Sequence, residues 1–369
     1  MINKIINIAN IDPSEKAGGL NLMVRNIIDT QNKIGMNSLL LYFNKPKHDL
    51  VNKEKSIKYK NLILFSKMVN KDTHFIFHSI YNIKYVFLIL IILLLGSSYS
   101  IHSHGSLSKH SIQKSWKKKY IYIINIKFML RFAKKIIFSN DSEYLNSILK
   151  DDKKVYYIPN LIPSITKLKL EEKKDLKKII YIGKIDYYYK GIDNLMLALS
   201  HFLSNYNDYT VDIYGFGNKK DLNINNIDES EKDIINLLYS IKKYKVETKV
   251  KFKGPITGQK KINILEKSGV FILTSNSEAM PLSISEALAC SVPVIATKQT
   301  NMGKYINSYK AGIVCENNPK DIFNALKLYN DEVIPNYEFY EKNALRCYQS
   351  ELDHIYLDKY IKNYIKCLE

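Results

Sequence analysis

The chain has 369 residues and a formal net charge of +19, with 55 Lys and Arg against 36 Asp and Glu. This length allows two α/β domains with separate cores, and the basic excess favours an anionic ligand or surface. The apolar run from Tyr85 to Leu95 is shorter than the ~20 residues that span a bilayer, so it predicts a buried helix. No export signal or metal-binding cysteine spacing is recognisable, so we expect a cytoplasmic protein with reduced thiols.

Short apolar segments in the first half predict the strands of a parallel sheet. They comprise Lys4–Ile8, Ser38–Tyr42, Phe75–His78 and Tyr99–His102. Gly18 and Gly19 lie between the first of these strands and a predicted helix from Asn21 to Thr30. Glycines in this place let a ligand approach the backbone closely. The dinucleotide-binding pattern G-x-G-x-x-G is absent, so the loop alone does not define a ligand.

A His-Gly pair, His104-Gly105, follows the last of these predicted strands. Open α/β sheets bind ligands at the carboxyl ends of their strands, which makes His104 a candidate ligand contact. A polar histidine without a function fits the same pattern. Further along the chain, Ser142 is predicted to cap a helix that has Glu143 in its first turn.

The segment 109–135 is strongly basic and contains no acidic residue. Lys127, Arg131, Lys134 and Lys135 are predicted to share one helical stripe, beside aromatic and aliphatic neighbours. Such a helix can lie on an anionic membrane, although a solvated basic face is the alternative. No nucleic-acid-binding motif accompanies the segment, so we expect no nucleic-acid partner.

Two lysines surround a predicted loop at the start of the second half. Lys184 directly follows a strand, and Lys190-Gly191 precedes a helix from Asp193 to Leu199. Cations at a strand end and at a helix start can converge on one diphosphate.

The stretch from Val270 to Thr297 predicts a strand, a loop, a helix and a second strand. Val270–Leu273 is a short apolar run of the kind that a parallel sheet buries. Pro281 suits the start of the helix, which is predicted over Ser283–Cys290. The backbone N–H groups of residues 282–285 would then point out of the sheet edge, where they attract phosphate.

Two glutamates accompany this helix start. Glu278 lies in the loop and Glu286 lies eight positions later, inside the helix. Carboxylates beside a phosphate site are suited to accept hydrogen bonds from neutral hydroxyls. A ligand with a central phosphate and hydroxyl-rich groups on either side, such as a nucleotide-sugar, matches this pattern. An ordinary βαβ unit with two solvated glutamates matches it as well.

These residues resemble a known family. Glu278-x7-Glu286, followed by Ala287-Leu288-Ala289-Cys290 and Pro293-Val294-Ile295-Ala296, is similar to the E-x7-E signature of the retaining glycosyltransferases of family 4. The resemblance implies an α/β protein of the GT-B fold, with two Rossmann-like domains facing a cleft. The expected domains are an acceptor-binding domain at 1–163, a nucleotide-sugar-binding domain at 164–350, and a terminal helix at 351–369 that packs back on the first domain. The stretch from Tyr337 to Leu368 is long and helical in character, which is consistent with such a terminal helix.

The resemblance also implies the site. Lys184 and Lys190 would hold the donor pyrophosphate, Glu286 the ribose and Glu278 the donor sugar, while His104 would lie near the transferred sugar. The implied catalytic residues are Glu278, His104, Lys184 and Lys190. The implied donor-binding residues are Gly18, Gly19, Lys184, Lys190, Gly254, Pro255, Ile256, Met280, Pro281, Leu282, Ser283 and Glu286.

The chain departs from the family pattern at several positions of this region. Lys184 stands where the family typically has Arg, and it keeps the charge without the bidentate fork. Ser291 replaces a usual glycine, and Gln299 to Gly303 replaces a usual Gly-Gly.

The implied reaction is transfer of a hexose-type sugar from a UDP- or GDP-sugar to a glycan or a lipid-linked glycan, with retention of configuration. Closure of the two domains would assemble the site and exclude water. A setting in capsule, O-antigen or other surface-polysaccharide synthesis is implied, at the inner face of the plasma membrane if segment 109–135 contacts it. We expect no metal and no cofactor besides the nucleotide-diphosphate sugar. A nucleotide-sugar epimerase of the same fold, a glycosidase with two carboxylates and a non-catalytic polyanion-binding protein are the alternatives.

Overall fold

The computed structural model describes residues 2–13, 19–44, 55–113, 125–150, 153–163, 165, 173–217 and 227–369. The chain divides into two compact units, which are described separately below. Unit 1 comprises Met1–Leu161 and His354–Glu369, and unit 2 comprises Ile162–Asp353. Each contains one parallel sheet flanked by helices.

The sheet of unit 1 has seven parallel strands in the order β3-β2-β1-β4-β5-β6-β7. Their bounds are β1 Lys4–Ala9, β2 Asn37–Tyr42, β3 Ser56–Lys58, β4 Thr73–His78, β5 Ser98–His102, β6 Ile136–Phe138 and β7 Val155–Tyr157. The described helices between them are α1 Gly19–Lys33, α2 Leu62–Ser66, α3 Lys84–Leu94, α4 Lys109–Gln113, α5 at residues 125–132 and α6 Asp141–Leu145. Strands β4 and β5 are almost wholly buried because helices cover both sheet faces.

The sheet of unit 2 has six parallel strands in the order β10-β9-β8-β11-β12-β13. Their bounds are β8 Asp175–Ile182, β9 Thr210–Tyr214, β10 Val250–Gly254, β11 Ser268–Leu273, β12 Val294–Thr297 and β13 Gly312–Cys315. The described helices are α7 Ile192–Asn205, α8 Lys232–Lys243, α9 Gly258–Glu266, α10 Leu282–Ala289, α11 Gly303–Tyr309, α12 Pro319–Leu328 and α13 Tyr337–Cys347. Strand β11 lies in the middle of the sheet, so the loop that follows it opens at the sheet's carboxyl edge.

The C-terminal segment from Tyr337 to Leu368, which is helical in character, is divided into two α-helices by a break at Asp353. After α13, a π-helical turn over Tyr348–Leu352 ends where Asp353 adopts an extended backbone. A short 3₁₀ turn then leads into α14, Leu357–Lys366. Leu357, Ile361 and Tyr364 of α14 pack into the core of unit 1 beside Ile27 of α1. The chain therefore begins and ends in unit 1.

The prediction that Tyr85 to Leu95 forms a buried helix is only half right. Tyr85, Leu88, Ile89 and Ile92 are buried, but the opposite side of α3 is exposed to solvent. An all-apolar helix carries no periodicity that would show which side faces out. None of the described helices is long and apolar enough to cross a membrane.

Two local predictions in unit 1 are wrong. Asn140 caps α6, rather than Ser142, because its side-chain oxygen accepts a hydrogen bond from the Glu143 backbone N–H at 2.8 Å. The basic stripe is also shorter than predicted. Lys127 and Arg131 belong to α5, but this helix ends at residue 132, so Lys134 and Lys135 lie beyond it. Residues 114–124 of the basic segment lie outside the described residues.

Candidate active site

Two loops of unit 2 are hydrogen-bonded to each other at the carboxyl edge of the sheet. Asn276, just after β11, donates from its backbone N–H to Tyr189 O at 2.9 Å and from its side chain to Tyr188 O at 2.7 Å. The Thr274 hydroxyl contacts Lys190 O at 3.1 Å and Gly191 O at 3.0 Å. The loop before α7 is therefore fixed against the loop after β11.

Gly191 is required at this junction. Its φ is +60°, a left-handed backbone conformation that residues other than glycine rarely adopt. A Cβ atom here would also lie well inside van der Waals contact with Thr274 O, and 2.6 Å from the Asn317 side-chain nitrogen. The glycine thus lets the Lys190 turn approach the β11 loop closely enough for their side chains to meet.

Lys190 and Glu278 form an ion pair across these two loops. The same Glu278 oxygen, Oε1, accepts a hydrogen bond from Ser275 Oγ at 2.7 Å. Side-chain exposure is only 16% for Lys190 and 15% for Glu278, so each charge depends on its partner. The structure therefore joins one expected diphosphate-binding residue directly to the expected sugar-binding residue.

The loop after β12 holds the backbone of Glu278. Glu278 N donates to Gln299 O at 3.0 Å, and the Asn301 side chain donates to Glu278 O at 2.6 Å. Asn301 has a φ of +60° and Ser291 a φ of +58°. Both positions are departures from the glycines of the family pattern, and both need the left-handed conformation that glycine adopts without strain. Asparagine tolerates it better than most residues, and here its side chain adds a bond to the glutamate loop.

Helix α10 begins directly after this loop. Pro281 precedes it in an extended conformation and α10 starts at Leu282, one residue before the predicted start. The first N–H groups of a helix have no acceptor inside it and carry a partial positive charge. Leu282 and Ser283 belong to this first turn and are partly exposed, whereas the Met280 side chain is buried in the core. Met280 therefore offers only its backbone to a ligand.

Glu286 lies one turn into α10 and forms an ion pair with Lys261 of α9. Both side chains are largely buried, so this pair resembles the one between Lys190 and Glu278. Sequence reasoning missed Lys261. It comes from a separate helix, and one lysine in so basic a chain gives no signal.

The remaining expected residues of unit 2 lie at the same carboxyl edge. Lys184 is exposed just beyond β8, and in the described part of the chain its side chain has no hydrogen bond or ion pair with either glutamate. Gly254 ends β10 with a φ of +74° and accepts a hydrogen bond from Gly215 N at 2.8 Å. Pro255 is exposed and Ile256 is partly buried.

In unit 1, His104 is part of a buried chain of polar side chains. Asn7 donates to Gln31 Oε1 at 2.8 Å and to Ser38 Oγ at 2.9 Å, which directs its amide oxygen to His78 Nε2 at 3.0 Å. His78 Nδ1 then lies 2.9 Å from His104 Nε2. With this amide orientation, His78 carries its proton on Nε2, and His104 donates from Nε2 and keeps a lone pair on Nδ1.

Three histidines, His78, His102 and His104, lie at the carboxyl ends of β4 and β5 and are neutral. Burial lowers the pKa of His104 to about 3 and holds the pKa values of His78 and His102 well below the ordinary value. Their nitrogens lie close enough together for a metal ion to be considered. However, the His102 and His104 rings stack at 3.8 Å with an interplanar angle of 21°, so their in-plane lone pairs do not converge on one point. The ring geometry therefore argues against joint ligation by His102 and His104, whereas His78 and His104 are hydrogen-bonded to each other.

Glu143 supports the His104 loop, a role that the sequence did not reveal. Its carboxylate accepts from the backbone N–H groups of Gly105 and Ser139, each at 2.6 Å. Burial raises the pKa of Glu143 above its usual value, against the lowering effect of these bonds. Gly19 is exposed at the start of α1, and Gly18 lies outside the described residues.

Comparisons with known proteins agree with this architecture. Residues 165–344, just under half of the chain, match the family model described as "Glycosyl transferases group 1". Over 162 residues the chain is 30% identical to an uncharacterized glycosyltransferase of Haemophilus influenzae, a match that spans 43% of this chain and 40% of that protein.

Two solved structures are similar over almost the whole chain. Sucrose-phosphate synthase from Thermosynechococcus elongatus has a TM-score of 0.73 at 17% identity, covering 99% of both chains. Anabaena HepE, solved with UDP and glucose, has a TM-score of 0.74 at 14% identity, covering 99% of this chain and 100% of that one. The protein therefore has the GT-B fold with two Rossmann-like units, and the larger part of unit 2 is similar to group 1 glycosyltransferases.

Proposed function

We propose that the protein is a retaining glycosyltransferase that moves a hexose-type sugar from a nucleotide-diphosphate donor to an acceptor hydroxyl. The observation that carries this proposal is the pair of lysine–glutamate contacts, Lys190 with Glu278 and Lys261 with Glu286, on either side of the α10 start. Both lie in the region that matches the family model.

The helix start and the lysines suit the charge of a diphosphate. The first N–H groups of α10 supply fixed dipoles, and Lys190 supplies a cation on the adjoining loop. Lys184 is exposed at the neighbouring strand end and is free to turn toward the same anion. As the bond to the sugar breaks, negative charge develops on the diphosphate, and donors held in place beforehand stabilise it.

The two glutamates suit the hydroxyls of the donor. In this proposal Glu286 accepts from the ribose and Glu278 accepts from the transferred sugar. A bound diphosphate takes over the charge of Lys190, and the sugar hydroxyls then replace Lys190 on Glu278. Because each largely buried charge keeps a partner throughout, this exchange avoids the cost of an unpaired buried ion.

In the same proposal His104 offers a neutral imidazole to the sugar. Its low pKa means that it acts as a hydrogen-bonding group and not as an acid near neutral pH. Gly19 leaves room for the donor phosphates and the acceptor.

A UDP-sugar is the donor we favour over a GDP-sugar, since HepE was solved with UDP and glucose. A glycan or lipid-linked glycan acceptor and a role in surface-polysaccharide synthesis rest on the resemblance to family 4. The proposed cytoplasmic location rests on the four cysteines, none of which is paired in a disulfide. No metal takes part in the proposed reaction.

Calorimetric titration with UDP and with GDP tests the donor site. We expect one nucleotide to bind to the wild type and binding to weaken at least about tenfold in Lys190→Met, since a charge-assisted bond contributes about 1.5–3 kcal/mol. Lys298→Met is the matched control, because Lys298 also pairs with a glutamate, Glu316, but is exposed. If neither nucleotide binds to the wild type, or if Lys190→Met and Lys298→Met bind the nucleotide equally well, the result would count against the proposed site.

A further inference from the structure

The outer side of α3 carries an exposed apolar stripe that the proposed reaction does not use. The apolar stripe consists of Ile83, Phe87, Leu90 and Leu94, spaced at intervals that place them on one side of a helix. Phe87 is 54% exposed and Leu94 is 82% exposed. Ile63 of the neighbouring helix α2 is 71% exposed. Large apolar side chains exposed together on adjoining helices indicate a contact surface.

The stripe belongs to one face of the unit 1 sheet. Phe65 of α2, Leu88 of α3 and Met129 of α5 pack into the same core cluster. The helices α1 and α14 pack into a different cluster, through Ile27 and Leu357. Successive residues of a strand point to opposite faces, and Ile6 and Ile5 of β1 belong to these two clusters respectively. Helices α2, α3 and α5 therefore cover one face, and α1 and α14 cover the other.

The surroundings of the stripe are basic. Between Lys55 and Asn140 the sequence has a single acidic residue, Asp72. Exposed cations on or beside the three helices are Lys58, Lys60, Lys67, Lys84, Lys127 and Arg131. A second copy of this chain would bring an equally basic surface against the stripe, and the net charge of +19 opposes that contact. An anionic lipid surface satisfies both the apolar side chains and the cations.

We propose that the outer surface of α2, α3 and α5 docks on an anionic lipid bilayer. The apolar stripe and Ile63 enter the boundary between headgroups and acyl chains, while the surrounding lysines and Arg131 contact the lipid phosphates. This surface differs from the 109–135 segment expected from sequence, and of that segment it includes only α5. It goes beyond the proposed reaction, since docking needs neither donor nor acceptor.

Sedimentation of the full chain with lipid vesicles tests the proposal. We expect binding to vesicles of equal parts phosphatidylglycerol and phosphatidylcholine, and little binding to phosphatidylcholine alone. The double variant Phe87→Ser/Leu94→Ser should bind at least about tenfold more weakly, because it removes two large apolar side chains from the part of the surface that enters the bilayer. Lys84→Gln should weaken binding about fivefold at low salt, the effect of one basic residue near an anionic surface.

Ile355→Ser is the matched control. Ile355 is 66% exposed and precedes α14 on the opposite face of the unit 1 sheet, so its loss should leave vesicle binding unchanged. Circular dichroism of each variant shows that the fold is intact, and nucleotide binding measured without lipid reports the proposed donor site separately. Three results would overturn the proposal: no sedimentation with anionic vesicles, equal sedimentation of the double variant, or light scattering that shows a dimer dissociated by Phe87→Ser/Leu94→Ser.

Discussion

Substitution of Gly191 by alanine tests whether the junction of the two site loops is as tight as the structure shows. The left-handed backbone costs a non-glycine residue about 1–2 kcal/mol. The added Cβ would collide with Thr274 O, so the loops must separate. That separation loses the hydrogen bonds of the Thr274 hydroxyl and of the Asn276 side chain, about 1 kcal/mol each. We expect Gly191→Ala to lower the free energy of unfolding of unit 2 by about 3–4 kcal/mol in total.

The variant Gly258→Ala separates the cost of backbone strain from the cost of a steric collision. Gly258 has a φ of +59°, almost that of Gly191, but no atom lies within 4 Å of the place that its Cβ would occupy. It should therefore lose only about 1–2 kcal/mol. Urea unfolding can be followed by circular dichroism, and hydrogen exchange of peptides from each unit, measured by mass spectrometry, separates the two units. A transition in which only peptides of unit 2 lose protection reports unit 2. Equal losses in the two variants would refute the tight junction.

Three further predictions concern an ion pair, a left-handed backbone position and buried histidines. Lys261→Met should destabilise unit 2 by about 1–3 kcal/mol in urea unfolding, because Glu286 is left partly buried without its partner. An unchanged free energy of unfolding would mean that the ion pair does not stabilise unit 2. Asn301→Gly should leave the free energy of unfolding nearly unchanged, since relief of the backbone strain at φ +60° offsets the lost hydrogen bond to Glu278 O. Asn301→Val should lower the free energy of unfolding by about 1–3 kcal/mol. Equal effects of the two variants would contradict the argument from backbone strain. Burial lowers the pKa of His74 and of His104 to about 3, so below their unfolded value of 6.5 the unfolded chain binds protons that the folded chain excludes. The stability of unit 1 should therefore fall as pH drops from about 7 to about 5, by up to about 1.4 kcal/mol per pH unit for each histidine. A constant unfolding midpoint of unit 1 over that range would disprove it.

The fold was largely predictable because its signals are local. The apolar run of β11 and the proline before α10 each determine an element within a few residues, and the structure confirms both to within two residues. The features that sequence reasoning missed depend on tertiary contacts. The break between the C-terminal helices at Asp353 is one example, because the sequence there contains no glycine or proline that would predict a helix end.

The site was predictable only in part, for the same reason. The spacing of Glu278 and Glu286 singled out two glutamates that each form an ion pair in the structure, but their partners come from elsewhere in the chain. Lys261 approaches Glu286 from another helix, and Glu143 reaches Gly105 across 38 residues. Such pairs follow from the packing of elements, which periodicity does not reveal. The roles assigned to Glu278, Lys184 and His104 stay predictions.

The most direct test of the proposed reaction is proton NMR of the sugar released when the protein is incubated with α-linked UDP- and GDP-hexoses, with water and simple glycosides as acceptors. We expect release of the nucleotide from at least one donor, a product that first appears as the α anomer, and loss of this turnover in Glu278→Gln. A product that first appears as the β anomer would contradict retention. No nucleotide release from a donor that calorimetry shows to bind would contradict the assignment as a glycosyltransferase.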